Sequence, residues 1–168
     1  FGYMQQVEKR ESGTTVYLLT EKAFTLLEKP TTLPSIFVSY RRNVSSALGL
    51  LVVARLKAVG IPNPFIDMVI DPGAEWHALL EQTVRRSRFF IALIAPGTLE
   101  SEYVKQEIKW ALDTPETTII PLWHGGFSPD LEYPPDLATL NAIRVKEESA
   151  EEYEMAMIKL LNRLGYGP

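Results

Sequence analysis

The sequence predicts an α/β fold in which helices cover both faces of a parallel sheet. Three observations carry that expectation. Short apolar, β-branched or aromatic runs recur at 36–38, 89–94 and 118–122. The stretches between them, 44–59, 74–86 and 102–112, change to helical period. The run Ile36-Phe37-Val38 is apolar throughout, and the segment then turns polar at Arg41, Arg42 and Asn43. A strand buried on both faces, with a polar carboxyl end, has this pattern.

The elements follow in order. Residues 3–10 and 14–20 are strand-like runs around Glu11, Ser12 and Gly13, a hairpin signal. Thr20 is placed to cap a short helix over 21–28, and Lys29-Pro30-Thr31-Thr32-Leu33-Pro34 breaks the pattern. A hairpin with one helix makes a poor core alone. Residues 1–33 are therefore read as an N-terminal hairpin-helix appendage and 34–168 as the main domain. The segment GYMQQVEKRESGTTVYLLTEKAFTLL resembles the wing and last helix of a winged-helix domain whose recognition helix would precede Phe1. A nucleic-acid partner is implied only under that resemblance; the alternative is a terminal hairpin docked on the main domain. A start at Phe1 rather than Met sets the expectation of a piece of a longer protein.

After Ile36-Phe37-Val38, the helical stretch 44–59 is apolar on two faces and Gly60 ends it. Residues 64–66 form a short second strand with a loop over 67–73. Trp76, Leu79, Leu80, Thr83 and Val84 make an i, i+3, i+4, i+7, i+8 stripe on the next helix. Residues 89–94 are the strongest strand, closed by Ala95-Pro96-Gly97. Ser101 is set to cap the helix 102–112, with Glu102 near its positive end. A fourth strand over 118–122, a weaker fifth over 142–145 and a closing helix over 151–164 complete the alternation.

Composition narrows the functions. The 168 residues are 46% hydrophobic and 23% charged, a globular balance with room for a sizeable core. A net charge of −4 argues against nucleic-acid binding through the whole surface, though a local basic cleft is compatible with it. With no cysteine, the chain has neither disulfides nor thiolate metal sites, which fits a reducing, cytoplasmic location. His77 and His124 lack metal-ligand spacing. The longest apolar runs are too short to span a bilayer, and no signal-peptide pattern is seen. Nucleophile-elbow, P-loop and dinucleotide-fingerprint patterns are all missing.

In open α/β sheets, ligands settle beyond the carboxyl ends of the strands, at the point where strand order reverses. Tyr40, Arg41 and Arg42 follow strand one, residues 67–73 follow strand two, and residues 100–107 follow strand three. At about 100° per residue, Val104, Ile108, Ala111 and Leu112 share the apolar face of the 102–112 helix. Lys105, Gln106 and Lys109 point to water, and Tyr103 and Glu107 fall together at the border. Trp123 and His124, at the end of strand four, are read as core or rim, and Arg85-Arg86-Ser87-Arg88 as an exposed helix end.

These residues match a family. The segment 36–42 resembles the first box of the Toll/interleukin-1 receptor (TIR) domain, and residues 67–73 resemble its second-strand loop. Ser101-Glu102-Tyr103-Val104-Lys105-Gln106-Glu107 resembles the glutamate-bearing helix of the NAD-cleaving, prokaryotic-type branch. The resemblance spans 34–165 and implies a flavodoxin-like five-stranded sheet of order 2-1-3-4-5. It carries the catalytic role to Glu107 and implies an NAD⁺ pocket from Tyr40, Arg41, Arg42, Asp71, Gly73 and Tyr103, with NAD⁺ as substrate and no cofactor or metal. One departure is Tyr103, where the glycohydrolase branch often has tryptophan. The implied activity is NAD⁺ glycohydrolysis in signalling or immune defence, switched on by self-association with other TIR domains. The alternative is a non-enzymatic adaptor that binds other TIR domains through residues 67–73.

Overall fold

The structure, a computed structural model, describes residues 4–9, 15–19, 35–61, 63–66, 74–129 and 133–167. The chain divides into two units, Phe1–Leu33 and Pro34–Pro168. In the first, β1 (Met4–Lys9) and β2 (Thr15–Leu19) pair antiparallel, with a shift of register between Gln6 and Glu8. The helix expected over 21–28 lies outside the described residues.

The second unit alternates strand and helix. Its strands are β3 (Ile36–Tyr40), β4 (Phe65–Ile66), β5 (Phe89–Ile94), β6 (Thr118–Trp123) and β7 (Ile143–Arg144). Its helices are α1 (Arg42–Ala58), α2 (Ala74–Arg86), α3 (Glu102–Leu112), α4 (Pro135–Ala138) and α5 (Ala150–Leu164). The strands pair in parallel in the order β4-β3-β5-β6-β7. Order reverses between β3 and β5, where Ile36 lies opposite Phe89 and Tyr40 opposite Leu93.

Alternation along the strands builds a core on each face. Ile36, Val38, Ile91, Leu93, Ile120 and Leu122 pack on one side with Leu48, Val52 and Leu56 of α1 and Met157 and Leu160 of α5. Phe37, Phe90, Ala92 and Ile94 pack on the other with Leu80 and Val84 of α2 and Val104, Ile108 and Ala111 of α3. Phe37 stacks between Phe65 and Phe90, with ring centres 5.0 and 5.5 Å away.

Three sequence expectations need correction here. The first helix begins at Arg42, not Val44, because Arg41 takes the extended N-cap conformation (φ −84°, ψ 119°). The Arg41 carbonyl then accepts from the amides of Val44 and Ser45 at 3.1 and 2.9 Å. Leu79, assigned to the α2 stripe, is 48% exposed; it sits about 100° around the helix from buried Leu80, which faces the sheet. Ser87, grouped with the exposed arginines, is buried, and its hydroxyl donates to the Thr83 carbonyl at 2.8 Å.

Pro121 limits one edge of the sheet. The Thr118 and His124 amides of the β6 segment donate to β5-side carbonyls (Arg88 and Ile94), whereas the Trp123 carbonyl accepts from Val145 on the β7 side. Odd-numbered residues of β6 therefore face β7, and Pro121 offers no N–H there. Pairing with β7 starts only at Leu122.

Phe90 is fully buried between the sheet and two helices, whereas Leu50 on α1 is 61% exposed. Phe90→Ala should lower unfolding free energy by about 3–5 kcal/mol. Leu50→Ala should change it by less than about 0.5 kcal/mol. Urea unfolding followed by tryptophan fluorescence measures both, and comparable losses would show that the core has been misplaced.

Candidate functional site

The site assembles where β3 ends. Because β3 alternates, Ser39 shares the face of Phe37, which α3 covers. Its hydroxyl, 1% exposed, donates to Glu107 Oε2 of α3 at 2.5 Å. Glu107 is only 3% exposed. The border position expected for it is therefore corrected: the carboxylate is turned inward and met by a buried donor. An ionised carboxylate in such a place needs hydrogen-bond partners to persist.

The same strand end carries the basic residues. Tyr40 is half-buried in the α1 face, and Arg42 opens α1. Arg41 Nη1 donates to the Gly97 carbonyl at 2.5 Å and to Glu100 Oε2 at 2.7 Å. Gly97 adopts φ 82°, a backbone conformation that favours glycine, and a Cβ there would lie 3.1 Å from Arg41 Nη1. A short 3₁₀ turn, Thr98–Glu100, leads into α3, whose first turn is capped by Ser101 Oγ accepting from the Val104 amide at 3.5 Å. The Thr98 hydroxyl, fully buried, accepts from the Ala95 amide at 3.0 Å and pins the turn to the end of β5.

Tyr103 does not join Glu107. It is 50% exposed and stacks on His77 of α2, with ring centres 5.5 Å apart and planes 16° apart. With Leu80, Glu102, Gln106 and Trp110 this pair lines a pocket of roughly 210 Å³. A wider cleft of roughly 660 Å³ lies between the Gly97–Glu100 turn and the Gly126–Ser128 loop, walled by Leu99, Lys105 and Phe127. Asp71 and Gly73, with the whole loop 67–73, lie outside the described residues.

Sequence reading missed two residues that shape this corner, Ser39 and Ser45. Ser39 was detectable, because strand alternation assigns it to the α3 face. The pairing of Ser45 with His124, which was read as core or rim, was not, being between residues 79 positions apart; Ser45 Oγ lies 2.8 Å from His124 Nε2, and both are buried. Beside them, Glu148 accepts from the Gly125 amide at 2.7 Å and from the Tyr153 hydroxyl. Burial holds His124 below its ordinary value, against the opposite pull of Glu148. The Tyr153 hydroxyl and the Gly125 amide hold Glu148 low. Burial and the Glu148 carboxylate push Tyr153 up to about 12.

Together these features define an α/β domain with a helix-flanked parallel sheet and an acidic and a basic side chain at the carboxyl end of one strand. A family model described as TIR domain matches residues 36–161, and the chain belongs to that family. Among solved structures it is similar to the TIR domains of the activated Roq1 resistosome directly recognizing the pathogen effector XopQ. That match has 18% identity, covers 79% of this chain and 73% of that one, and has a TM-score of 0.48. Among the described residues, no helix is long and apolar enough to cross a membrane.

The polar cluster gives stability a defined pH dependence. As pH falls below the ordinary histidine value of 6.5, the unfolded chain takes up a proton that folded His124 resists, so stability declines. Below 4.5 the depressed Glu148 adds to the decline. Above pH 10 the unfolded chain loses a proton that folded Tyr153 retains until about 12, so stability falls again. Urea midpoints should therefore drop between about pH 7.5 and pH 5.5, with a smaller drop in His124→Asn. Equal slopes in the two proteins would remove His124 from the explanation.

Proposed function

We propose that this TIR domain is an NAD⁺ glycohydrolase that cleaves the nicotinamide–ribose bond, acts in signalling or immune defence, and gains activity on self-association. The observation that carries the reading is Glu107, a carboxylate fixed by Ser39 where β3 ends in arginines. Nicotinamide leaves a cationic glycoside as a neutral molecule, so no general acid is needed. The transition state resembles an oxocarbenium ion. A carboxylate near the ribose stabilises the developing positive charge, and water then completes ADP-ribose and releases a proton, unless an internal nucleophile closes a cyclic isomer. In this reading Arg41 and Arg42 face the pyrophosphate as charge-assisted donors, Tyr40, Asp71 and Gly73 contribute to the NAD⁺ pocket, and Tyr103 offers a stacking face. NAD⁺ is the substrate, and no cofactor or metal is called for.

The low exposure of Glu107 bears on activation. A carboxylate sealed in the single domain must be uncovered to meet ribose, which supports a role for assembly with further TIR domains. The same burial favours a second reading, a non-enzymatic adaptor docking through residues 67–73, in which Glu107 only braces β3 against α3.

Nicotinamide release from NAD⁺ by the concentrated protein separates the two. Glu107→Gln keeps shape and a hydrogen-bonding group and should reduce turnover by about 10²-fold or more. Ser39→Ala, which removes the positioning hydroxyl, should reduce it less. If native protein and Glu107→Gln release nicotinamide at the same rate, or neither releases any while partner binding persists, the adaptor reading stands instead.

A further inference from the structure

We propose that Glu100 occupies the Arg41 guanidinium in the unliganded domain and competes for it with an incoming pyrophosphate. This rests on the reading above, in which the arginine-bearing end of β3 faces a dinucleotide.

Helix α1 starts against ordinary electrostatics. Its first turn contains no acidic residue, no side chain caps it, and Arg41 and Arg42 stand at its positive end. Cations there oppose the helix dipole. The compensating carboxylate comes from a different element: Glu100, on the turn between β5 and α3, meets Arg41 Nη1 at 2.7 Å. Gly97, three residues earlier on the same turn, takes the other hydrogen bond of that nitrogen at 2.5 Å. Both contacts run through Nη1, so neither engages Nε or Nη2 of the donor fork.

Exposure decides which partner yields. The Arg41 side chain is 30% exposed and that of Glu100 73%. An anion arriving from solvent displaces the exposed carboxylate, while the carbonyl of Gly97 keeps Arg41 in place. Glu100 then acts as a filter: it weakens binding of any pyrophosphate and keeps the site quiet until the ligand makes further contacts.

Calorimetric titration with ADP, which carries the pyrophosphate and no cleavable nicotinamide, tests this on the whole chain. Glu100→Gln should bind ADP about two- to fivefold more tightly than the native protein, the range expected for removing one exposed ion pair. The gain should shrink in about 0.5 M salt and vanish in an Arg41→Gln background, with little change in thermal midpoint. Should NAD⁺ be turned over, Glu100→Gln should lower KM and leave kcat in place. ADP binding that is unchanged or weaker in Glu100→Gln, a gain that persists without Arg41, or no ADP binding by any variant overturns the inference. Failure of NAD⁺ turnover alone removes the glycohydrolase reading and leaves the ADP comparison standing.

Discussion

The hydrogen bond from Ser39 to Glu107 is the constraint around which this domain is arranged. A buried carboxylate survives only where donors replace the water it has lost, so β3 and α3 must meet in one register. That register is set elsewhere, by Phe37 stacked on Phe90 and by Val104 and Ile108 seated on the same face. Apolar packing therefore determines where a charged group can exist, and the charged group in turn penalises any slip of α3 along the sheet.

Unfavourable features gather at the same end of the sheet. Two arginines sit at the positive end of α1, and burial lowers the pKa of His124 within a polar cluster. The opposite end carries ordinary connections, such as the Ser35 hydroxyl donating to the Arg86 carbonyl and accepting from the Arg88 amide. Departures from local preference of this kind mark a candidate binding corner.

Much of this was legible in the residues themselves. The continuous apolar run 89–94 could only be a strand covered on both sides, and Ser101 followed by Glu102 announced the start of α3 within a residue. The burial of Glu107 was not legible. Helix angle alone leaves it beside Tyr103, and what separates them is the partner each meets: Ser39 draws Glu107 to the sheet, while His77 draws Tyr103 toward α2. Such pairings join distant parts of the chain, and helical period carries no trace of them. The outer strands were weakly marked for a simpler reason, since two residues of pairing leave almost no pattern to read.

Those outer strands bear on how copies of this domain can meet. Among the described residues, both margins of the sheet offer two residues of ladder, and at β7 the proline in the neighbouring strand prevents backward lengthening. Edges this short are poor templates for another chain's backbone. Under the self-association proposed above, copies join through side chains on helices and loops rather than through a shared strand ladder.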